Sequence, residues 1–391
     1  VPDERLYEID LLRFVAAVLV LLHHFVGRIA GWGPEGYPDL GGVLPHVTQY
    51  GFLGVDLFFV ISGFVILMSS WGRPVGDYAV SRVVRILPAY WFAVTLALGL
   101  YMTTGHVWIR PGDDPDLSLL VYLPNMTMLQ EGVGVQDLDP VYWTLWVELH
   151  FYALIALLVW RGVTYARCVA FMVAWLIGGQ FVQETEFTFL KVLLIPEWAP
   201  YFIAGMAFYL MYRFGPNLVL TLIALAGWAL AVYHRSTTVN PDLKLPPYHQ
   251  AVIAAGVTLA FLVMWLVATR RLRWLAWRHW VPVGALTYPV YLVHDTIGRV
   301  LWEEYRDDLG HWQQLGVSVA VTLTVSILIY RLVEKPVQRL LRPRLKAALE
   351  QIRRAEPAAD AAPPTLLPHV PAPRRPAPGG PAGPLMAGSD R

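Results

Sequence analysis

Residues 51–70 read GFLGVDLFFVISGFVILMSS. Apart from Asp56 the stretch is uncharged, and its apolar residues run on without the alternation of a half-buried strand. A helix needs about 20 such residues to cross a bilayer core of about 30 Å. The glycines at 51, 54 and 63 suit close approach between helices in lipid. Read outward from this run, the chain repeats the pattern. Segments near 11–29, 51–70, 86–103, 143–160, 166–182, 194–212, 218–233, 249–268, 281–301 and 315–333 each satisfy the length rule, ten in all. The expected fold is therefore all-α: a polytopic membrane protein of about ten transmembrane helices.

Composition agrees. Of the 391 residues 56% are hydrophobic and 15% charged, against roughly 25% charged in soluble domains. Mean hydropathy is +0.47. These values exclude a soluble enzyme, a disordered chain and a collagen-like one. Continuous apolar runs disfavour a transmembrane β-barrel. A net charge of +1 offers no bulk attraction for nucleic acid. Cys168 is the single cysteine, so an intrachain disulfide and a multi-cysteine metal site are both excluded. The run from Leu11 to Ile29 is too long for a signal-peptide core and is read as a retained first helix.

The loops set the orientation. With the N-terminus inside, inner loops hold arginines at 73, 82, 85, 161, 167, 213, 270, 271, 273 and 278, with Asp77 as their one acid. Outer loops hold Glu35, Asp39, Asp113, Asp114, Asp116, Asp137, Asp139 and Asp242, among other acids. Excess Lys and Arg mark cytoplasmic loops, so both termini are placed in the cytoplasm. The stretch DLSLLVYLPNMTML, 116–129, is expected to lie along the membrane surface. Residues 1–342 read as the membrane domain and 343–391 as a basic stub and a Pro/Ala-rich tail. The last 35 residues hold ten prolines; they cannot bury enough apolar area to order themselves and read as disordered.

Ionisable residues within spans are costly and are candidates for function. Arg13 and His24 lie eleven residues apart, so they share a helix face to within ~20° and are separated by roughly 16 Å along the axis. The plainer reading makes Arg13 a snorkelling anchor and His24 an end cap. His23 points about 100° away from His24. Asp56 suits a proton relay or, preferably, a structural partner for a buried Arg or a backbone donor. Arg82 and Arg85, three apart, form a fork for phosphate oxygens or mark topology only. Glu148 is placed to orient a histidine or to stabilise packing; His150 falls on another face. The aromatic set Tyr142, Trp143, Trp146 and Tyr152 suits an interfacial belt or a ligand platform. His294 should reach the depth of His24. Pro336 is expected to stop the last helix, with Glu334 facing an inner Arg. No P-loop, G-x-G-x-x-G or G-x-S-x-G motif is present.

Taken in order, IDLLRFVAA (9–17) with His24, GFLGVDLFFVISGFVI (51–66), RVVR (82–85), YWTLWVELHFY (142–152), TYPVYLVH (287–294) and VEKP (333–336) resemble the acyltransferase family 3 membrane proteins. The resemblance covers about residues 7–340. It implies transfer of an acyl group, often acetyl, from cytoplasmic acyl-CoA to a hydroxyl, with no bound cofactor. Implied acceptors are carbohydrates of surface polysaccharides, lipid-linked glycans or macrolides, and the implied place is a bacterial cytoplasmic membrane. Family roles map onto Arg13, His24, Arg82 and Arg85, with Glu148 in support. His24 then acts as general base or carries the acyl group itself, Arg82 and Arg85 hold the CoA phosphates, and Glu148 or Asp56 fixes the His24 tautomer. Asp56 and His294 complete the expected substrate-binding set. A proton-coupled transporter using the same buried Asp, Glu and His is the rival reading.

Overall fold

A computed structural model describes residues 5–27, 43–105, 119–238 and 247–360. The acids at 35, 39, 113, 114, 116 and 242, and the tail from 361, lie outside the described residues. Among those described there is no strand. In chain order the helices are α1 (Tyr7–Leu22), α2 (Leu44–Thr48), α3 (Leu53–Ser70), α4 (Val75–Thr104), α5 (Leu119–Thr127), α6 (Trp143–Arg161) and α7 (Tyr165–Gln183). They continue with α8 (Thr188–Leu194), α9 (Ala199–Phe214), α10 (Leu218–Thr238), α11 (Pro247–Ala268), α12 (Trp280–Tyr305), α13 (His311–Leu328) and α14 (Lys335–Asp360). The chain divides into two units, 1–346 and 347–391. The described part of the second is the end of α14.

Nine stretches of the described residues are long and apolar enough to cross a membrane. The tenth expected span, 281–301, is helical as α12 but falls outside that set, since it carries His294, Asp295 and Arg299 together with Pro282 and Pro289. Its packing explains this. Every residue from Pro289 to Val300 is buried, and α12 lies against α1, α13 and α4. A helix enclosed by its neighbours need not be apolar, because its polar groups meet protein rather than lipid.

α3 is packed on α1, α6, α9 and α11. A Cβ on Gly63 would stand 2.2 Å from the Phe202 carbonyl oxygen, and one on Gly205 would stand 2.1 Å from that of Val60. The two backbones therefore touch where only glycine fits, and α9 is buried from Ala199 to Met211. Outward faces are apolar: Ile177, Phe181, Leu222, Leu259 and Leu328 are all exposed. In a bilayer those side chains meet acyl tails, and the helical backbone satisfies its own hydrogen bonds.

Two helices depart from the expected course. α1 passes into a π-turn at His23–Gly27, and α13 into another at Ile329–Glu334. Pro336 does not stop the last helix. It occupies the first turn of α14, just past the second π-turn, and there its missing N–H and fixed φ are tolerated. The sixth span is broken at Ile195, which takes φ 41°, so that α8 and α9 form separate pieces. Part of the expected surface segment forms α5, with Leu119, Leu120 and Leu123 exposed and Met126 O accepting from Trp91 Nε1 at 2.8 Å.

Candidate active site

The π-turn places His24 against α12. π-turns are wider than α-turns and recur at functional sites. The Nδ1 of His294 lies 2.8 Å from Tyr291 O and 3.2 Å from Val290 O. Both are acceptors, so this nitrogen carries the proton and Nε2 holds the lone pair. That Nε2 is 3.0 Å from His24 Nδ1, which is also 3.1 Å from Val20 O. The His24 proton therefore sits on Nδ1 and is donated toward His294. The remaining nitrogen, His24 Nε2, is the one fitted to take a further proton, and it stands 3.9 Å from Asp295 Oδ1.

Around this pair are charged groups with almost no exposure. Arg299 Nη2 is 2.6 Å from Asp295 Oδ2. Asp139, one residue before the fourth span, accepts from Val141 N at 3.0 Å, Thr296 N at 3.1 Å and Thr296 Oγ1 at 2.5 Å. Burial pushes its carboxyl up to about 7, and the negative charge of Asp295 adds to the rise. Asp137 is raised in the same direction, first by burial, while the Gln130 amide at 2.6 Å opposes it.

Toward the other end of α1 a partly enclosed cavity of about 70 Å³ is lined by Arg13, Phe58, Ser62, Glu148, Thr287, Tyr288 and Tyr291 with their apolar neighbours. Glu148 accepts from Tyr152 Oη at 2.5 Å and Ser62 Oγ at 3.1 Å. Tyr152 also lies against Arg82, whose guanidinium carbon is 6.0 Å from the ring centroid and whose Nη2 donates to Ser69 Oγ at 3.0 Å. Arg85 is exposed and acts electrostatically on both Arg13 and Glu334. Arg13 Nε is buried with no hydrogen-bond partner among the described residues. Tyr291 forms the wall between the cavity and the histidines, its ring centroid 5.7 Å from that of His294.

The expected residues thus fall into two groups joined by α12. Arg13 and His24 both face that helix, as their spacing requires. His294 meets His24 directly. Glu148, Arg82 and Arg85 gather at the Arg13 end. Several expectations need correction. Neither Glu148 nor Asp56 reaches His24; its neighbours are His294 and Asp295. Asp56 does not line the cavity but pairs with Arg235, Oδ2 to Nε at 3.2 Å, which makes it the structural partner of a buried Arg. Asp10 bonds Arg5 at 2.9 Å. Tyr142 is fully buried against Tyr90, so an interfacial belt does not describe it. Asp295, Arg299 and Asp139 were missed. Asp295 and Arg299 follow His294 at i+1 and i+5 in a span, a charge pattern that signals a buried helix. Asp139 had been counted only as a loop acid.

Fold and site define an integral, multi-pass membrane protein in which a half-buried His24 and a buried His294 pair beside a polar-ended cavity. A family model described as an acyltransferase domain matches residues 6–331, and the chain belongs to that family, acyltransferase family 3. It is accordingly a membrane acyltransferase. It is 28% identical over 362 residues to BcsY of Komagataeibacter xylinus, described as a membrane-bound transacylase, covering 85% of this chain and 83% of that protein. It is 27% identical to the exopolysaccharide production protein ExoZ of Rhizobium meliloti, over 76% of this chain and 93% of that one. It is 26% identical to the acyltransferase MdmB of Streptomyces mycarofaciens, over 92% and 97%. No solved structure matches the chain.

Proposed function

We propose that the protein moves an acyl group, acetyl in the first instance, from cytoplasmic acyl-CoA to a carbohydrate hydroxyl. A polysaccharide or its lipid-linked precursor is preferred to a macrolide, since one relative is named for exopolysaccharide production. The observation that carries the reading is the tautomer-fixed His24–His294 pair, 3.0 Å apart, next to a cavity walled by a buried, unpartnered Arg13 donor. An orphaned cationic donor beside a cavity fits an anionic or carbonyl-bearing ligand.

In this scheme Arg85 and Arg82 meet the phosphates of CoA at the inner end. The acyl-bearing arm runs through the cavity past Arg13 and Glu148 to Tyr291. The acceptor hydroxyl gives its proton to His24 Nε2 as its oxygen attacks the thioester carbonyl; the C–S bond breaks, and the thiolate takes the proton back. General-base assistance of this kind contributes about 10²–10⁴-fold.

The test is purified protein in lipid nanodiscs with acetyl-CoA and an exopolysaccharide oligomer. Free thiol should appear only with acceptor present, alongside an oligomer heavier by one acetyl. Absence of both, with protein folded and several acyl-CoA and glycan pairs tried, would sink the assignment.

A further inference from the structure

Asp295 is fully buried and its two oxygens have different surroundings. Oδ2 is held by Arg299 at 2.6 Å. Oδ1 faces His24 Nε2 at 3.9 Å; neither oxygen has a hydrogen-bond donor of good geometry among the described residues, so Oδ2 is met by the Arg299 charge and Oδ1 by no cation in contact. That separation exceeds a hydrogen bond, for which about 2.7–3.2 Å is usual. A buried carboxylate oxygen without a donor is costly, and it becomes favourable when a positive charge forms in front of it. The nitrogen it faces is the one that gains a proton during acyl transfer. Other charged or titratable groups close by are His294 and Arg299 on α12 and Asp139 before α6, the last bonded to Thr296 rather than to either imidazole.

We propose that Asp295 is a positioning residue for the reaction: it supplies the counter-charge for the His24 imidazolium, and Arg299 holds it in place for that task. This rests on the acyl-transfer reading with His24 as base. The proton balance is closed. The acceptor O–H bond breaks and His24 Nε2 becomes protonated, the ester C–O bond forms, the thioester C–S bond breaks, and the proton passes to the thiolate. Asp295 keeps its negative charge throughout and acts through His24 without touching substrate.

A merely structural Asp295 would serve only to neutralise Arg299, and the two roles separate in one set of variants. Removing both members of a buried ion pair in favour of groups of similar volume is tolerated far better than removing one. Asp295→Asn/Arg299→Met should therefore insert and elute as wild type, yet lose at least about tenfold in kcat with donor and acceptor KM within about twofold. Wild-type kcat in this double variant would overturn the proposal. If it does not assemble, Asp295→Glu, which keeps the ion pair, carries the test. Its readout is the pH profile of kcat: a shifted apparent pKa at unchanged KM supports the counter-charge, because the added methylene moves the carboxylate relative to the imidazole, and an unmoved profile rejects it. His24→Ala separates the two levels of inference. Turnover surviving in His24→Ala removes the reading beneath this one, whereas a dead His24→Ala beside a fully active double variant removes the Asp295 role alone.

Discussion

At the scale of the residue, His24 and His23 differ by their neighbours. His24 bonds His294; His23 Nδ1 sits 3.4 Å from the Thr48 carbonyl and its ring packs edge-on to Phe52. His24→Ala should abolish transfer in correctly inserted protein and His23→Ala should cost far less; equal activity in the two variants would show that neither imidazole does chemistry. Arg85 offers the clearer test of donor binding, because it is exposed and its loss leaves packing alone, whereas Arg82 also serves Ser69 and Tyr152. Charge-assisted hydrogen bonds contribute about 1.5–3 kcal/mol, so Arg85→Ala should raise the donor KM about ten- to hundred-fold. A raised acceptor KM with an unchanged donor KM would assign this arginine elsewhere. Asp139 gives a pH signature. Its carboxyl, ordinarily near 3.8, is raised to about 7 in the fold, so the native state keeps a proton that the unfolded chain has lost. Stability from this group is then full below about pH 4 and falls as pH rises toward 7. Thermal midpoints of detergent-purified protein should decline across that window, and less steeply in Asp139→Asn; parallel curves would contradict the assigned cause.

At the scale of the element, contact between α3 and α9 depends on two hydrogens. A methyl at Gly63 would meet the Phe202 carbonyl at 2.2 Å, backbone that cannot swing aside, so the helices must separate. Overpacking of this kind costs about 1–3 kcal/mol. Gly63→Ala should lower the yield of monodisperse protein and its thermal midpoint, while Gly99→Ala, with nothing within 4 Å, should be neutral or gain up to about 1 kcal/mol from helix propensity. Equal behaviour of the two variants would mean that the close approach is relieved at no cost. The π-turns act at the same scale. One presents His24 to α12, and the other lets the chain carry Pro336 into a continuing helix. Neither is signalled by a breaker residue, since His23–Gly27 reads HHFVG and ends rather than begins with its glycine.

At the scale of the whole molecule, all the candidate residues lie in the first unit, 1–346, and the family match ends at 331. Truncation before Glu356 should therefore leave kcat and both KM values near wild type at matched expression. A large loss would show that the removed segment takes part in binding.

The sequence by itself determined the class of fold, the approximate limits of most of its long apolar helices and the residues worth watching. These follow from local quantities: run length against bilayer thickness, and an eleven-residue spacing that survives the π-turn as a shared orientation toward α12. It also marked Asp56 as a structural partner of an Arg or of a backbone donor, without deciding between them. Only the tertiary structure decided the partners. Arg235 for Asp56, His294 for His24, and Tyr152 and Ser62 for Glu148 come from other helices or other turns; the histidines are 270 residues apart in the chain. No period or motif encodes such a pair, because it is made by which helix faces close on one another. Asp295 shows the limit most clearly. Beside His294 in the chain it reads as one more polar residue in a weak span. Enclosed by α1, α4 and α13, with Arg299 on one oxygen and His24 before the other, it becomes a buried charge held next to the base.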